Sequence, residues 1–138
     1  MKVVLDTNVL ISGLLWRGKP NRLLKAIEEG HLTLCSSKHL AEELGGVLKR
    51  KKFAGKLAER NTSVDQVLEI FEELAHFYPD LPIPPVIKED PSDDKVLACA
   101  LSSGAEWIIS GDPHLLRLKS YERIEILSPD QALRKLPL

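Results

Sequence analysis

Four short apolar runs, each followed by a stretch with helical spacing, limit what this chain can become. They lie at residues 2–5, 32–35, 107–110 and 124–127. Runs this short, led by β-branched residues such as Val3 and Val4, suit strands covered on both faces. Strands alternating with helical segments predict parallel βα units with helices packed on the sheet. In such open sheets, ligands collect where the carboxyl ends of strands meet helix starts. The first run delivers Asp6 to such a junction, and the third delivers Asp112.

The segments between the strands read as follows. Residues 8–15 form a first helix, and residues 21–29 form a second with Leu23, Leu24 and Ile27 inward, stopped by Gly30. Ser36 and Ser37 open a third over Leu40, Leu44, Val47 and Leu48, whose spacing marks one helix face. Residues 64–77 make a fourth, begun by a capping box from Ser63 to Gln66. Residues 78–85 hold four prolines and read as a rigid extended connection. Asp90 and Pro91 form a cap and first-turn pair for a helix running to about Gly104. Pro113 starts a short helix, and Ser128-Pro129-Asp130 caps the closing one, to Leu136.

At 138 residues and 43% hydrophobic, the chain has enough apolar material for one ordinary domain with a real core. No apolar segment approaches the length of a membrane span, and the N-terminus lacks the pattern of a secretion signal. Cys35 and Cys99 sit among apolar neighbours without metal or disulfide spacing, as buried thiols do in a reducing compartment. These features predict a cytoplasmic protein. The net charge of −1 argues for no polyanionic partner by itself. Its distribution is uneven, because residues 1–60 carry 12 Lys+Arg against 6 Asp+Glu while residues 61–138 carry 7 against 14. A nucleic-acid face beside an acidic centre produces such asymmetry, and so do two solvated helical surfaces.

The candidate chemistry lies in four acids. Asp6 and Asp112 end strands; a plainer account of each is a helix cap. On the third helix, at about 100° per residue, Glu42 falls opposite the apolar stripe while Glu43 lies on its flank and can reach a crevice. On the helix after Pro91, Asp93 lies near the centre of the stripe formed by Leu97, Ala100, Leu101 and Gly104, and Asp94 lies toward its edge. The helix dipole alone explains part of that placement. Jointly, Asp6, Glu43, Asp93 and Asp112 are positioned to converge on one sheet edge. Carboxylates held together repel and resist ionisation unless a cation compensates. That predicts a hard divalent metal, Mg²⁺ or Mn²⁺, with phosphodiester hydrolysis as the natural chemistry. Lys49, Arg50, Lys51 and Lys52 read either as a solvated helix end or as a phosphate-tracking patch. His31, His39, His76 and His114 show no ligand spacing and read as surface or packing residues.

Val-Leu-Asp-Thr-Asn-Val-Leu at 4–10, Glu42-Glu43-Leu44, Asp-Pro-Ser-Asp-Asp-Lys-Val-Leu-Ala-Cys-Ala at 90–100 and Ser-Gly-Asp-Pro-His-Leu-Leu at 110–116 together resemble a PIN domain. The resemblance runs over essentially the whole chain. It implies a Rossmann-like three-layer α/β/α sandwich with a central parallel sheet of four to five strands, residues 1–138 forming a single nuclease domain. It also implies a metal-dependent endoribonuclease, often the toxin of a toxin–antitoxin pair, with RNA, a small antitoxin and a second copy of the chain as partners. The family's acids fall on Asp6, Glu43, Asp93 and Asp112, the metal ligands among them being Asp6, Asp93 and Asp112. Asn8, Ser110 and Asp94 are supports. Asp93 is preferred over Asp94 for its inward angle and its seven-residue spacing to Ala100. Lys49 to Lys52 are then the nucleic-acid contacts.

Other classes fit less well. A haloacid-dehalogenase-type phosphatase wants a second Asp where Asn8 stands, a dinucleotide-binding domain wants a glycine-rich turn after the first strand, and a receiver domain wants a Lys near Leu127-Ser128. An RNA-binding scaffold that no longer cuts is the non-enzymatic alternative, and an orphan nuclease of RNA processing is the other. All four acid positions are filled, which favours an active enzyme.

Overall fold

The computed structural model describes residues 1–87 and 92–137. Strand β1 (Lys2–Leu5) lies between β2 (Thr33–Ser36) and β4 (Trp107–Ile109) in a six-stranded sheet. Outside β2 lies β3 (Ala75–Phe77), and outside β4 lies β6 (Ile124–Leu127), followed at the edge by β5 (Ser120–Tyr121). All pairings are parallel except β5 with β6. Val4 pairs with Cys35 on one side and Ile108 on the other.

The two faces of the sheet carry separate cores because side chains alternate along a strand. Val3, Leu5, Leu34, Trp107, Ile109 and Leu127 face one layer, built on α1 (Thr7–Leu15), α2 (Lys19–Glu28), α5 (Val64–Leu74) and α8 (Pro129–Lys135). Val4, Cys35, Ile108 and Ile126 face the other, built on α6 (Asp93–Ser103) and α7 (Pro113–Leu118). This is the expected sandwich of helices around a mostly parallel sheet. Each Leu or Ile fully withdrawn from water contributes about 1.5–3 kcal/mol, and Leu5, Leu10, Leu23, Leu97, Ile108 and Ile109 are among the largest such side chains. Gly13 lets α1 approach α2, since a Cβ there would stand 2.9 Å from both Leu24 Cδ1 and the Pro20 carbonyl oxygen. Gly104 closes α6 with φ +71°, in the left-handed region that glycine enters without strain.

Several boundaries differ from expectation. The sheet has six strands where four to five were expected. The helix expected over 64–77 stops at Leu74, and Ala75–Phe77 joins the sheet beside β2, with Leu34 opposite Ala75 and Ser36 opposite Phe77. Nothing in Ala75-His76-Phe77 is strand-like by period, so the free edge of β2 decides its state. β5 is a two-residue pairing made by the turn through Glu122 and Arg123, both with positive φ. The α6 helix begins at Asp93 with Ser92 at its cap position. The expected cap pair Asp90-Pro91 lies outside the described residues.

After β1 the chain builds outward through β2 and β3, then returns to the opposite side of β1 with β4. The reversal leaves a crevice at the carboxyl ends of β1 and β4, where ligand sites form in sheets of this kind. The ladder extends into it: the Asp6 N–H donates to the Ile109 carbonyl at 3.1 Å, and the Ser110 N–H donates to the Leu127 carbonyl at 2.9 Å.

Candidate active site

Asp6 follows β1 directly and caps α1, its Oδ1 accepting from the Val9 N–H at 2.9 Å. Its Oδ2 accepts from the Ser110 hydroxyl. Ser110, fully buried after β4, also accepts from the Asp112 N–H at 2.9 Å. Asp112 caps α7 in turn, its Oδ1 accepting from the His114 N–H at 2.7 Å. Asp6, Ser110 and Asp112 thus form one hydrogen-bonded chain across the switch point. Asp6 is only 7% exposed and Asp93 8%. Burial pushes the Asp6 carboxyl above the usual carboxylate range; the Ser110 and Val9 hydrogen bonds oppose that shift, and the negative charge of Asp112 adds to it.

Asp6, Glu43, Asp93 and Asp112 line one cavity of about 230 Å³, together with Thr7, Asn8, Arg50, Ser92 and Val96. The structure therefore brings the four acids and Asn8 together, and places Ser110 just beneath them. Two placements answer the question left by the helix periodicity. Asp93 lines the cavity, whereas the Asp94 carboxylate turns to the chain before the helix, accepting from Val86 N–H at 3.2 Å and Ile87 N–H at 2.9 Å. Glu42 is exposed and faces a separate groove beside α5.

Carboxylate oxygens of Asp93 and Asp112 and a ring nitrogen of His114 lie within 4.8 Å of one another, a donor set able to hold a metal ion. His114, read from the sequence as a surface or packing residue, is half-exposed and stands beside these two acids. Its Nδ1 stands 3.6 Å from Asp112 Oδ1. The signal in the sequence is its place two residues after Asp112, in the first turn of α7, where side chain and cap meet. Asp6 lines the same cavity outside that tight group, with both of its oxygens already accepting hydrogen bonds. The oxygen-rich donors gathered around this cavity fit a hard divalent cation.

The cations at 49–52 do not form one patch. Lys49 ends α3 (Lys38–Leu48) and lines the groove shared with Glu42, while Arg50 lines the acid cavity. Lys51 and Lys52 are exposed on a 3₁₀ turn, Lys51–Phe53, with Lys52 Nζ 5.1 Å from the centre of the Phe53 ring.

A family model described as the PIN domain matches residues 2–114. The chain belongs to the PIN-domain family. The matched span runs from β1 through His114, so it contains every cavity acid, and β5, β6 and α8 lie beyond it. A similar fold is seen in a solved structure, VapBC2 from Rickettsia felis bound to a DNA fragment from their promoter. It superposes with a TM-score of 0.59 at 16% identity, covering 91% of this chain and 97% of that chain. No curated protein matches the sequence.

Proposed function

We propose that this PIN domain is a divalent-metal-dependent endoribonuclease, with residues 1–138 acting as one unit. The observation that carries the reading is the convergence of Asp6, Glu43, Asp93 and Asp112 on a single small cavity at the switch point. Asp93 and Asp112, with His114 beside them and Asp6 behind, would hold Mg²⁺ or Mn²⁺. Such an ion lowers the pKa of a bound water and offsets the charge that develops on a phosphoryl group.

The protein's own groups then have distinct tasks. Ser110 and the α1 and α7 N-termini fix Asp6 and Asp112, so neither carboxylate has to reorganise during the reaction. Glu43 lines the cavity outside the Asp93–Asp112–His114 group and takes the proton of the attacking water. The water oxygen bonds to phosphorus as the bond from phosphorus to the 3′ oxygen breaks, and that oxygen takes a proton from solvent. The products are a 5′-phosphate and a 3′-hydroxyl. Lys51 and Lys52, both exposed, follow the RNA backbone without reading sequence.

Membership in the PIN family and the likeness to VapBC2 support a toxin of a toxin–antitoxin pair, with a small antitoxin protein as partner. Among the described residues no helix is long and apolar enough to cross a membrane, in keeping with action in the cytoplasm. The test is incubation of purified protein with single-stranded RNA and Mg²⁺ or Mn²⁺. Cleavage should stop with chelator and leave 5′-phosphate ends; cyclic phosphate ends, or cleavage that ignores chelation, would overturn the reading.

A further inference from the structure

Arg50 is the only Lys or Arg among the described residues lining the acid cavity. Its main chain is held on both sides, the N–H donating to the Val47 carbonyl and the carbonyl accepting from the Phe53 N–H, each at 3.0 Å. Between those bonds the backbone is extended, at φ −65° and ψ 144°, so the residue stands at a fixed corner between α3 and the 3₁₀ turn. Buried Phe53 anchors that turn. The neighbouring cations lie outside that cavity. Lys49 lines the separate groove beside Glu42, Lys52 lies over the Phe53 ring, and Lys56 pairs with Glu59 at 3.1 Å and stands 5.3 Å from the centre of the Trp16 ring.

A guanidinium placed there to neutralise the acids would pair with one of them. Arg50 lines their cavity, is exposed, and makes no ion pair among the described residues. A planar fork of five N–H donors, always charged, matches two oxygens of a phosphodiester and cannot act as the proton donor. We propose that Arg50 binds the non-bridging oxygens of the scissile phosphate and stabilises the charge that grows on them, a role separate from the backbone-tracking of Lys51 and Lys52. This rests on the nuclease reading above.

The test compares wild type, Arg50→Ala, Arg50→Lys and Lys51→Ala on a mixed-sequence single-stranded RNA with Mn²⁺, with Mn²⁺ binding measured separately by calorimetry without RNA. Arg50→Ala should lose about 100- to 1000-fold in kcat, the range seen when one preorganised donor to a developing oxyanion is removed. Its KM should move less than its kcat, and added guanidinium ion should restore part of the rate. Arg50→Lys should recover only a fraction, because an ammonium keeps the charge and loses the fork. Lys51→Ala should raise KM and flatten the salt dependence instead. Mn²⁺ should bind Arg50→Ala at least as tightly as wild type, since a nearby cation has been removed. The proposal is overturned if wild type cuts and Arg50→Ala keeps its kcat, if the loss falls in KM and matches Lys51→Ala, or if Mn²⁺ binding weakens in step with activity. Should Arg50→Ala not fold, Arg50→Gln carries the same comparison. A wild-type protein that cuts no RNA overturns the nuclease reading and this proposal together.

Discussion

Replacing Asp6 separates its two tasks, because Asn and Ala remove different things. Asn keeps a carbonyl oxygen for the Val9 N–H and caps a helix about as well as Asp. Its amide can donate to the Ser110 hydroxyl oxygen, reversing the present hydrogen bond without emptying the space. Asn also removes a negative charge that burial and Asp112 both disfavour. Asp6→Asn should therefore be at least as stable as wild type in chelator at neutral pH. Asp6→Ala loses the cap, worth about 1 kcal/mol, and removes the side-chain partner of the fully buried Ser110 hydroxyl altogether, worth about 1–3 kcal/mol. Ala should then fall roughly 2–4 kcal/mol below Asn, which for a chain of this length is on the order of 10 °C in Tm. Melts followed by circular dichroism in chelator read that gap, and RNA cleavage with Mn²⁺ reads function. Both variants should be inactive. Equal melting of Asn and Ala would refute the capping and hydrogen-bond argument; wild-type cleavage by Asp6→Asn would refute the need for charge at this position.

Without metal, stability should fall as pH rises from the ordinary carboxylate range toward neutrality. The folded Asp6 holds its proton to higher pH than the unfolded chain does, so the folded state binds more protons across that window. Melts between pH 4 and 7 in chelator check the sign, once compared with Asp6→Asn, which should lack this component. Saturating Mg²⁺ or Mn²⁺ should reverse the loss, by about 2.7 kcal/mol at one hundred times Kd; a Tm indifferent to both ions would count against the site. Asp94→Asn should cost about 1 kcal/mol, because one amide oxygen cannot replace two carboxylate oxygens toward Val86 and Ile87, yet keep most cleavage. Asp93→Asn should be folded and inactive, and the opposite pattern in this pair would show the wrong acid has been chosen. His114→Ala should weaken Mn²⁺ binding in calorimetry while α7 stays capped, since the cap uses the His114 backbone N–H and not its ring.

The fold was legible where a residue's period and its neighbours agree. Val3, Val4 and Leu5 alternate between two cores, and the short run could be read as a strand because it is apolar on both faces. Ser37, Ser63 and Ser128 each cap the helix that the spacing predicts, since a cap is a local hydrogen bond. Ala75–Phe77 was illegible for the opposite reason. Its state is set by the unpaired edge of β2, some 40 residues earlier in the chain, and no local period records that.

For the site, capping a helix and lining the acid cavity are compatible in Asp6 and Asp112. Asp112 uses one oxygen for the His114 N–H and still contributes a carboxylate oxygen to the group with Asp93 and His114. Asp6 uses both of its oxygens locally and still lines the cavity. Capping is thus what aims these acids, because a helix N-terminus fixes a carboxylate in space at no cost to its charge. Helical angle separated Asp93 from Asp94 and Glu43 from Glu42, as angle is a local property of each helix. It could not separate Arg50 from Lys49, Lys51 and Lys52. Those four are equivalent as a run of cations and become different only when the chain turns at Arg50, where α3 ends and the backbone extends. The turn sends Lys49 to one groove and Arg50 to the cavity of the acids, so a composition-level patch resolves into residues with different neighbours.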